Sequence, residues 1–158
     1  MIQRIQTVYL LLVAILSFVS LISSVGYFTL ADEVIATFSN FTFSTELAFK
    51  STGPYALGVL LILVILLSLM SIMLFRKRMR QLRLTVVSSI LLVGYVVVYA
   101  LFAYFYKENL NVVLEPEQPV FHLRFVSVFP VLSLILNVLA INGIRKDEAL
   151  VRSLDRLR

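Results

Sequence analysis

A chain of 158 residues, 60% hydrophobic and only 15% charged, with a mean hydropathy of +0.97, is too apolar for an ordinary soluble domain, in which about 25% of residues carry charge. It has no cysteine, which excludes disulfides, thiolate metal sites and cysteine nucleophiles. The net charge of +5 lies mostly at the ends of apolar runs, where membrane topology explains it without a nucleic-acid partner.

Met1 to Thr7 is a short polar head containing Arg4, and Val8 to Leu30 carries no charge. That 23-residue run exceeds the roughly 7–15 apolar residues of a signal-peptide core, so it predicts an uncleaved first transmembrane helix. A loop over 31–53 follows. Within it Val34 to Ser44 is rich in β-branched and aromatic residues, and Phe41-Thr42-Phe43-Ser44 alternates with period two. The alternation suits a short strand or hairpin on the outer membrane face, and an aromatic loop sunk into the interface fits equally well. Asn40-Phe41-Thr42 matches a glycosylation sequon, a pattern common by chance and discounted here.

Pro54 to Phe75 is the second span, opened by a proline whose missing N–H costs nothing in a first turn. The turn over 76–83 holds Arg76, Lys77, Arg78, Arg80 and Arg83. Leu84 to Tyr106 is the third span. A second loop, 107–124, contains Val112 to Leu114, which could pair with the first loop's strand. Phe125 to Ile144 is the fourth span, ending at Asn142-Gly143. In the tail, 145–158, Leu150, Val151, Leu154 and Leu157 recur at helical spacing with Glu148, Arg152, Asp155 and Arg156 between them, the pattern of an amphipathic juxtamembrane helix.

The expected fold is therefore an all-α membrane protein, an antiparallel bundle of four transmembrane helices with a short β-hairpin in the outer loops. Charge sets its orientation. The N-terminus, turn and tail together carry eleven cations against three carboxylates, and the two longer loops carry three cations, Lys50, Lys107 and Arg124, against six carboxylates. The positive-inside rule then puts both termini in the cytoplasm.

No span contains an ionisable side chain other than tyrosine. A proton relay, a carboxylate-driven antiporter or an intramembrane protease needs such a group, so the expectation is no enzyme, no catalytic residue, no metal and no cofactor. His-Glu-x-x-His, Gly-x-Ser-x-Gly and glycine-rich phosphate loops are absent as well. The single histidine, His122, beside Arg124, reads as a snorkelling or capping group.

Polar residues inside the spans fall into stripes that suggest helix contacts. Ala14, Ser17, Ser20 and Ser24 form a narrow face on the first helix, and Ser127, Pro130, Ser133, Asn137 and Ala140 form one on the fourth. These two faces are expected to meet, and Pro130 to kink its helix. On the third helix Ser88, Leu92, Tyr95, Tyr99, Phe102 and Tyr106 follow a knobs-into-holes spacing, with Tyr104 and Tyr106 assigned to an outer aromatic belt. Candidate bundle contacts are thus Ser20, Ser24, Tyr95, Tyr99, Ser133 and Asn137. Candidate anionic-lipid contacts are Arg76, Lys77, Arg78, Arg80 and Arg83, since a cation near a membrane surface contributes about 1 kcal/mol. A candidate cytoplasmic interface comprises Leu150, Val151, Arg152, Leu154, Arg156 and Leu157.

The opening Met1-Ile2-Gln3-Arg4-Ile5-Gln6-Thr7-Val8-Tyr9-Leu10, the four-span layout and the tail from Ile144 to Arg158 resemble an uncharacterised family of small four-helix inner-membrane proteins from the Bacteroidetes, a domain of unknown function. The resemblance spans the whole chain and implies an integral inner-membrane protein of a Gram-negative cell. It carries no activity or site residue with it. The functional expectation is a non-catalytic accessory or scaffold subunit of an inner-membrane complex, in contact with the bilayer and with a membrane-protein partner or further copies of itself. The alternative is a small transporter, channel or lipid- or quinone-binding component acting as an oligomer, with a cavity near Tyr95, Tyr99 and Asn137.

Overall fold

The computed structural model describes residues 3–31, 33–45, 53–74, 77–114 and 119–156, without the side chains of Gln3, Arg4, Arg152, Leu154, Asp155 and Arg156. Four helices dominate: α1 (Gln3–Ile22), α2 (Tyr55–Met73), α3 (Arg78–Leu114) and α4 (Phe129–Arg156). Each is long and apolar enough to cross a membrane. α1 and α3 each pack against both α2 and α4, which gives a four-cornered bundle. Its two ends are chemically distinct. Gln6, Arg78 and Asp147 meet at one end, and Ser20, Gly58 and Tyr95 gather at the other around Asn40.

The bundle buries small polar residues beside the apolar core of Leu10, Val13, Leu61, Val64 and Leu92, and turns large apolar ones outward. Ser17, Ser20, Ser68, Ser71, Thr85, Ser88, Ser133 and Asn137 are buried, whereas Leu11, Ile15, Leu66, Ile90, Leu101 and Ile135 are exposed. A bundle standing in water would need a polar outer face instead. Lipid tails accept the apolar exterior, and small interior residues let the helix backbones approach. This is the construction of a multi-pass membrane protein.

At the end away from the basic turn sits more β structure than a hairpin. Strands β1 (Ser24–Leu30), β2 (Glu33–Ser39), β3 (Phe43–Thr45) and β4 (Val120–Leu123) form an antiparallel sheet in the order β3-β2-β1-β4. Ala36, Phe38 and Asn40 alternate inward along β2 and its end, as a strand with one covered face requires. The covered face shares one core with the helices: Val25, Phe28, Ala36 and Phe38 pack with Leu57, Leu61, Tyr95, Tyr106 and Leu110.

Several sequence expectations change accordingly. The first helix does not run to Leu30; it stops at Ile22, and Ser24–Leu30 is one of the sheet's two inner strands. Twenty helical residues already span about 30 Å, the thickness of a bilayer core, so the remaining apolar residues are free to pair. Val112 to Leu114 is not a strand but the last turn of α3, whose apolar stripe continues through Tyr106 and Leu110, and Val120–Leu123 takes the place beside β1. With 37 residues α3 is about 55 Å long, and its excess beyond the bilayer core carries the sheet. The basic turn is shorter than 76–83 because α3 already begins at Arg78.

Asn142-Gly143 does not end the fourth helix, since α4 runs unbroken to Arg156 and the tail is its continuation. Gly143 serves close packing instead: a Cβ there would come within 2.9 Å of the Gln6 side chain. Pro130 is not a mid-helix kink. A 3-10 turn, Phe125–Val128, precedes α4, and Pro130 occupies the helix's first turn, where it removes no hydrogen bond. Tyr106 does not belong to a lipid-facing belt either; it is buried and stacked on Phe43 at 4.1 Å, whereas Tyr104 is exposed.

Candidate functional site

The junction of sheet and bundle is organised by Asn40, at the end of β2. The inward alternation of Ala36 and Phe38 carries its side chain into the core, where it is wholly buried. Its Nδ2 donates to the Ser20 carbonyl at 2.6 Å, its Oδ1 accepts the Tyr95 hydroxyl at 2.7 Å, and its backbone carbonyl accepts the Gly58 N–H at 3.1 Å. One residue thus ties the strand to α1, α2 and α3. Phe41 lies so close over Gly58 that a Cβ there would stand 2.1 Å from its ring. The glycine is what permits this approach. Asn40 is therefore no accessible sequon.

Tyr99, one turn beyond Tyr95, stacks on Phe38 with ring centroids 5.4 Å apart. Its hydroxyl donates to the Val25 carbonyl at 3.3 Å. The β1–β2 register shifts between Ser24 and Gly26, so Val25 has no partner in that ladder, and the Arg124 N–H and Ser127 hydroxyl donate to its carbonyl as well. Beside this knot lies a cavity of about 360 Å³ between α3, the start of α4 and the sheet, lined by Tyr95, Val96, Tyr99, Val128 and Val131, with Arg124 also in its wall. Its size falls within the range of small-molecule sites. The Tyr95, Tyr99 and Ser127 hydroxyls are all engaged with protein acceptors, so the walls offer ring faces and methyl groups. Arg124 is exposed, donates to the Ser24 hydroxyl and lies 5.7 Å from the centre of the Tyr27 ring. His122 stacks on the same tyrosine at 5.2 Å and bonds Thr29.

Of the other predicted contacts, Asn137 and Ser133 are buried on α4, and Asn137 donates to Ser88 of α3 at 3.1 Å. Oδ1 of Asn137 and the hydroxyls of Ser17, Ser68 and Ser133 have no hydrogen-bond partner among the described residues. Ser20 is buried on α1, but Ser24 has left the helix for β1 and meets Arg124 rather than α4. The expected α1–α4 contact is present between the helices themselves. The Asn137 level and the Tyr95–Tyr99 cavity are separate places: Asn137 does not line the cavity.

At the opposite end, Lys77, Arg80 and Arg83 are exposed, and Arg78 turns inward to donate to the Asp147 carbonyl at 3.1 Å. Arg76 and Leu157 lie outside the described residues, as do the side chains of Arg152, Leu154 and Arg156. Leu150 and Val151 are exposed on α4. Sequence reasoning missed Asn40, Gln6, Asp147 and the Ser71–Thr85 pair. Gln6 donates to the nearly buried Asp147 carboxylate at 2.7 Å, and Ser71 and Thr85 bond across α2 and α3 at 3.1 Å. The signal for Asn40 was its place two residues beyond Phe38; that for Asp147 was its continuation of the Ala140–Ile144 face.

A comparison with curated proteins gave no match. Residues 2–157 match the family described as Domain of unknown function (DUF4293), and the chain belongs to that family.

Proposed function

We propose that this protein is a non-catalytic accessory or scaffold subunit of a bacterial inner-membrane complex, with both termini cytoplasmic and the sheet in the periplasm. The orientation rests on the eleven-to-three distribution of cations between the basic end and the sheet end. The observation that carries the scaffold reading is the single core shared by sheet and helices, together with Asn40's contacts to three of those helices. A partner gripping the sheet would thereby be held in fixed register with the bundle. The sheet's outer strands, β3 and β4, each pair on one side only among the described strands, and an open strand edge is a common docking feature. Leu150 and Val151 offer a second contact surface at the cytoplasmic end. Affinity purification of the full-length protein in mild detergent, followed by mass spectrometry, should return a stable membrane partner. Recovery of the monomer alone would contradict the proposal.

A second reading, a membrane component that binds a lipid or quinone, is favoured by one observation, the apolar cavity beside Tyr95 and Tyr99.

A further inference from the structure

We infer that the cavity at the sheet end holds one acyl chain of an anionic membrane phospholipid whose phosphate sits on Arg124. The inference rests on the second reading above and names its ligand. Three features carry it. First, two of the lining residues, Val128 at the end of the 3-10 turn and Val131 on α4, are about half exposed, so the cavity can be entered sideways from the bilayer. Second, the hydroxyls that border it are committed: Tyr95 to Asn40, and Tyr99 and Ser127 to the Val25 carbonyl. A quinone carries two carbonyl oxygens on opposite edges of its ring; Arg124, at one edge of the cavity, can serve one of them, and the committed hydroxyls leave the other without a donor and without its hydration. A hydrocarbon chain requires none. Third, the charged group in the wall is a guanidinium placed one residue before the first residue of the fourth apolar span, which is headgroup depth. Among the described residues it has no carboxylate partner; its contacts are the Ser24 hydroxyl and the Tyr27 ring. The Tyr27 ring and the Ser24 hydroxyl orient the guanidinium and are both neutral, and a guanidinium binds phosphate through paired N–H donors.

The experiment is native mass spectrometry of the full-length protein titrated with palmitoyl-oleoyl phosphatidylglycerol or the matching phosphatidylcholine. Wild type should retain phosphatidylglycerol preferentially. Arg124→Gln should cut that preference about fivefold, the effect of one cation at a membrane surface. Arg124→Lys should keep most of it. Lys107→Gln, which removes another exposed cation from the sheet end, should leave it unchanged. Val131→Phe, which fills the cavity from its exposed side, should lower retention of both lipids, with thermal unfolding checked to show that the fold persists. Equal retention of the two lipids by wild type, or equal losses in Arg124→Gln and Lys107→Gln, overturns the phosphate assignment while a Val131→Phe effect keeps the cavity reading. Unchanged retention in Val131→Phe overturns the cavity reading itself, and displacement of phosphatidylglycerol by a neutral quinone or by palmitate overturns the choice of ligand.

Discussion

Two asparagines are wholly buried in this protein, and they have opposite surroundings. Asn40 enters from the sheet and has both ends of its amide and its backbone carbonyl paired, with partners on three helices. Asn137, in the middle of α4, makes one bond to Ser88 and leaves Oδ1 unpaired among the described residues. The difference separates two tasks. A fully satisfied buried polar group fixes a unique arrangement of the parts around it. A half-satisfied one between membrane helices contributes little, because lipid-embedded hydrogen bonds average about 0.6 kcal/mol. Asn40 defines how the sheet is seated, whereas the bundle around Asn137 is held chiefly by close helix packing.

The largest expected effect is at Asn40. Asn40→Leu strands the Ser20 carbonyl and the Tyr95 hydroxyl in the core, and at about 1–3 kcal/mol for each unsatisfied group the loss should be about 3 kcal/mol or more. Detergent-driven unfolding in mixed micelles measures it. Gly58→Ala comes next. The added methyl meets the Phe41 ring, and overpacking of this kind costs about 1–3 kcal/mol. Combining it with Phe41→Ala should recover part of that loss, since the clash disappears with the ring. Asn137→Leu should shift stability by about 0.6 kcal/mol or less, and a loss as large as that at Asn40 would erase the distinction between the two residues. The smallest effect lies outside both. Ala31, between β1 and β2, has φ of 48°, so Ala31→Gly relieves about 1 kcal/mol of left-handed strain and gives up part of it in chain entropy, for a net gain of about 0.5 kcal/mol in the same assay.

The two asparagines also mark where sequence was readable. Asn137 lay in a charge-free run with small residues at helical spacing, and a period of three to four residues in a long apolar window points unambiguously to an inward face. Its burial and that of Ser133, Leu92 and Tyr95 follow from that spacing. Asn40 lay in a segment of mixed polarity, where helical periodicity is absent and strand alternation is short. Hydropathy alone could not separate Ser24–Leu30 from the helix before it, because both are uncharged and apolar; only Gly26 and the run of aromatic and β-branched residues hinted at a strand. The extension of α3 was hidden for the opposite reason. Lys107, Glu108, Asn109 and Asn111 look like a loop, yet Tyr106 and Leu110 keep the four-residue spacing that buries them under the sheet. Tertiary cover decides both outcomes, from residues nearly 70 positions earlier for Tyr106 and more than 70 positions later for Val25, and local sequence does not contain it. The alternative reading placed a cavity near Tyr95, Tyr99 and Asn137; the cavity has the two tyrosines in its wall but not Asn137, and its apolar character comes from where their hydroxyls are turned.

The sheet and the helix ends share one core and should therefore open as one body. Hydrogen exchange of the full-length protein in lipid nanodiscs tests this directly. The amides of β1 and β2 should open with the same free energy as those of α2 and α3 around Leu57, Leu61, Tyr95 and Tyr106, and Asn40→Leu should lower all of them together. A sheet that exchanges orders of magnitude faster than those helix turns, or one left unchanged by Asn40→Leu, would contradict it.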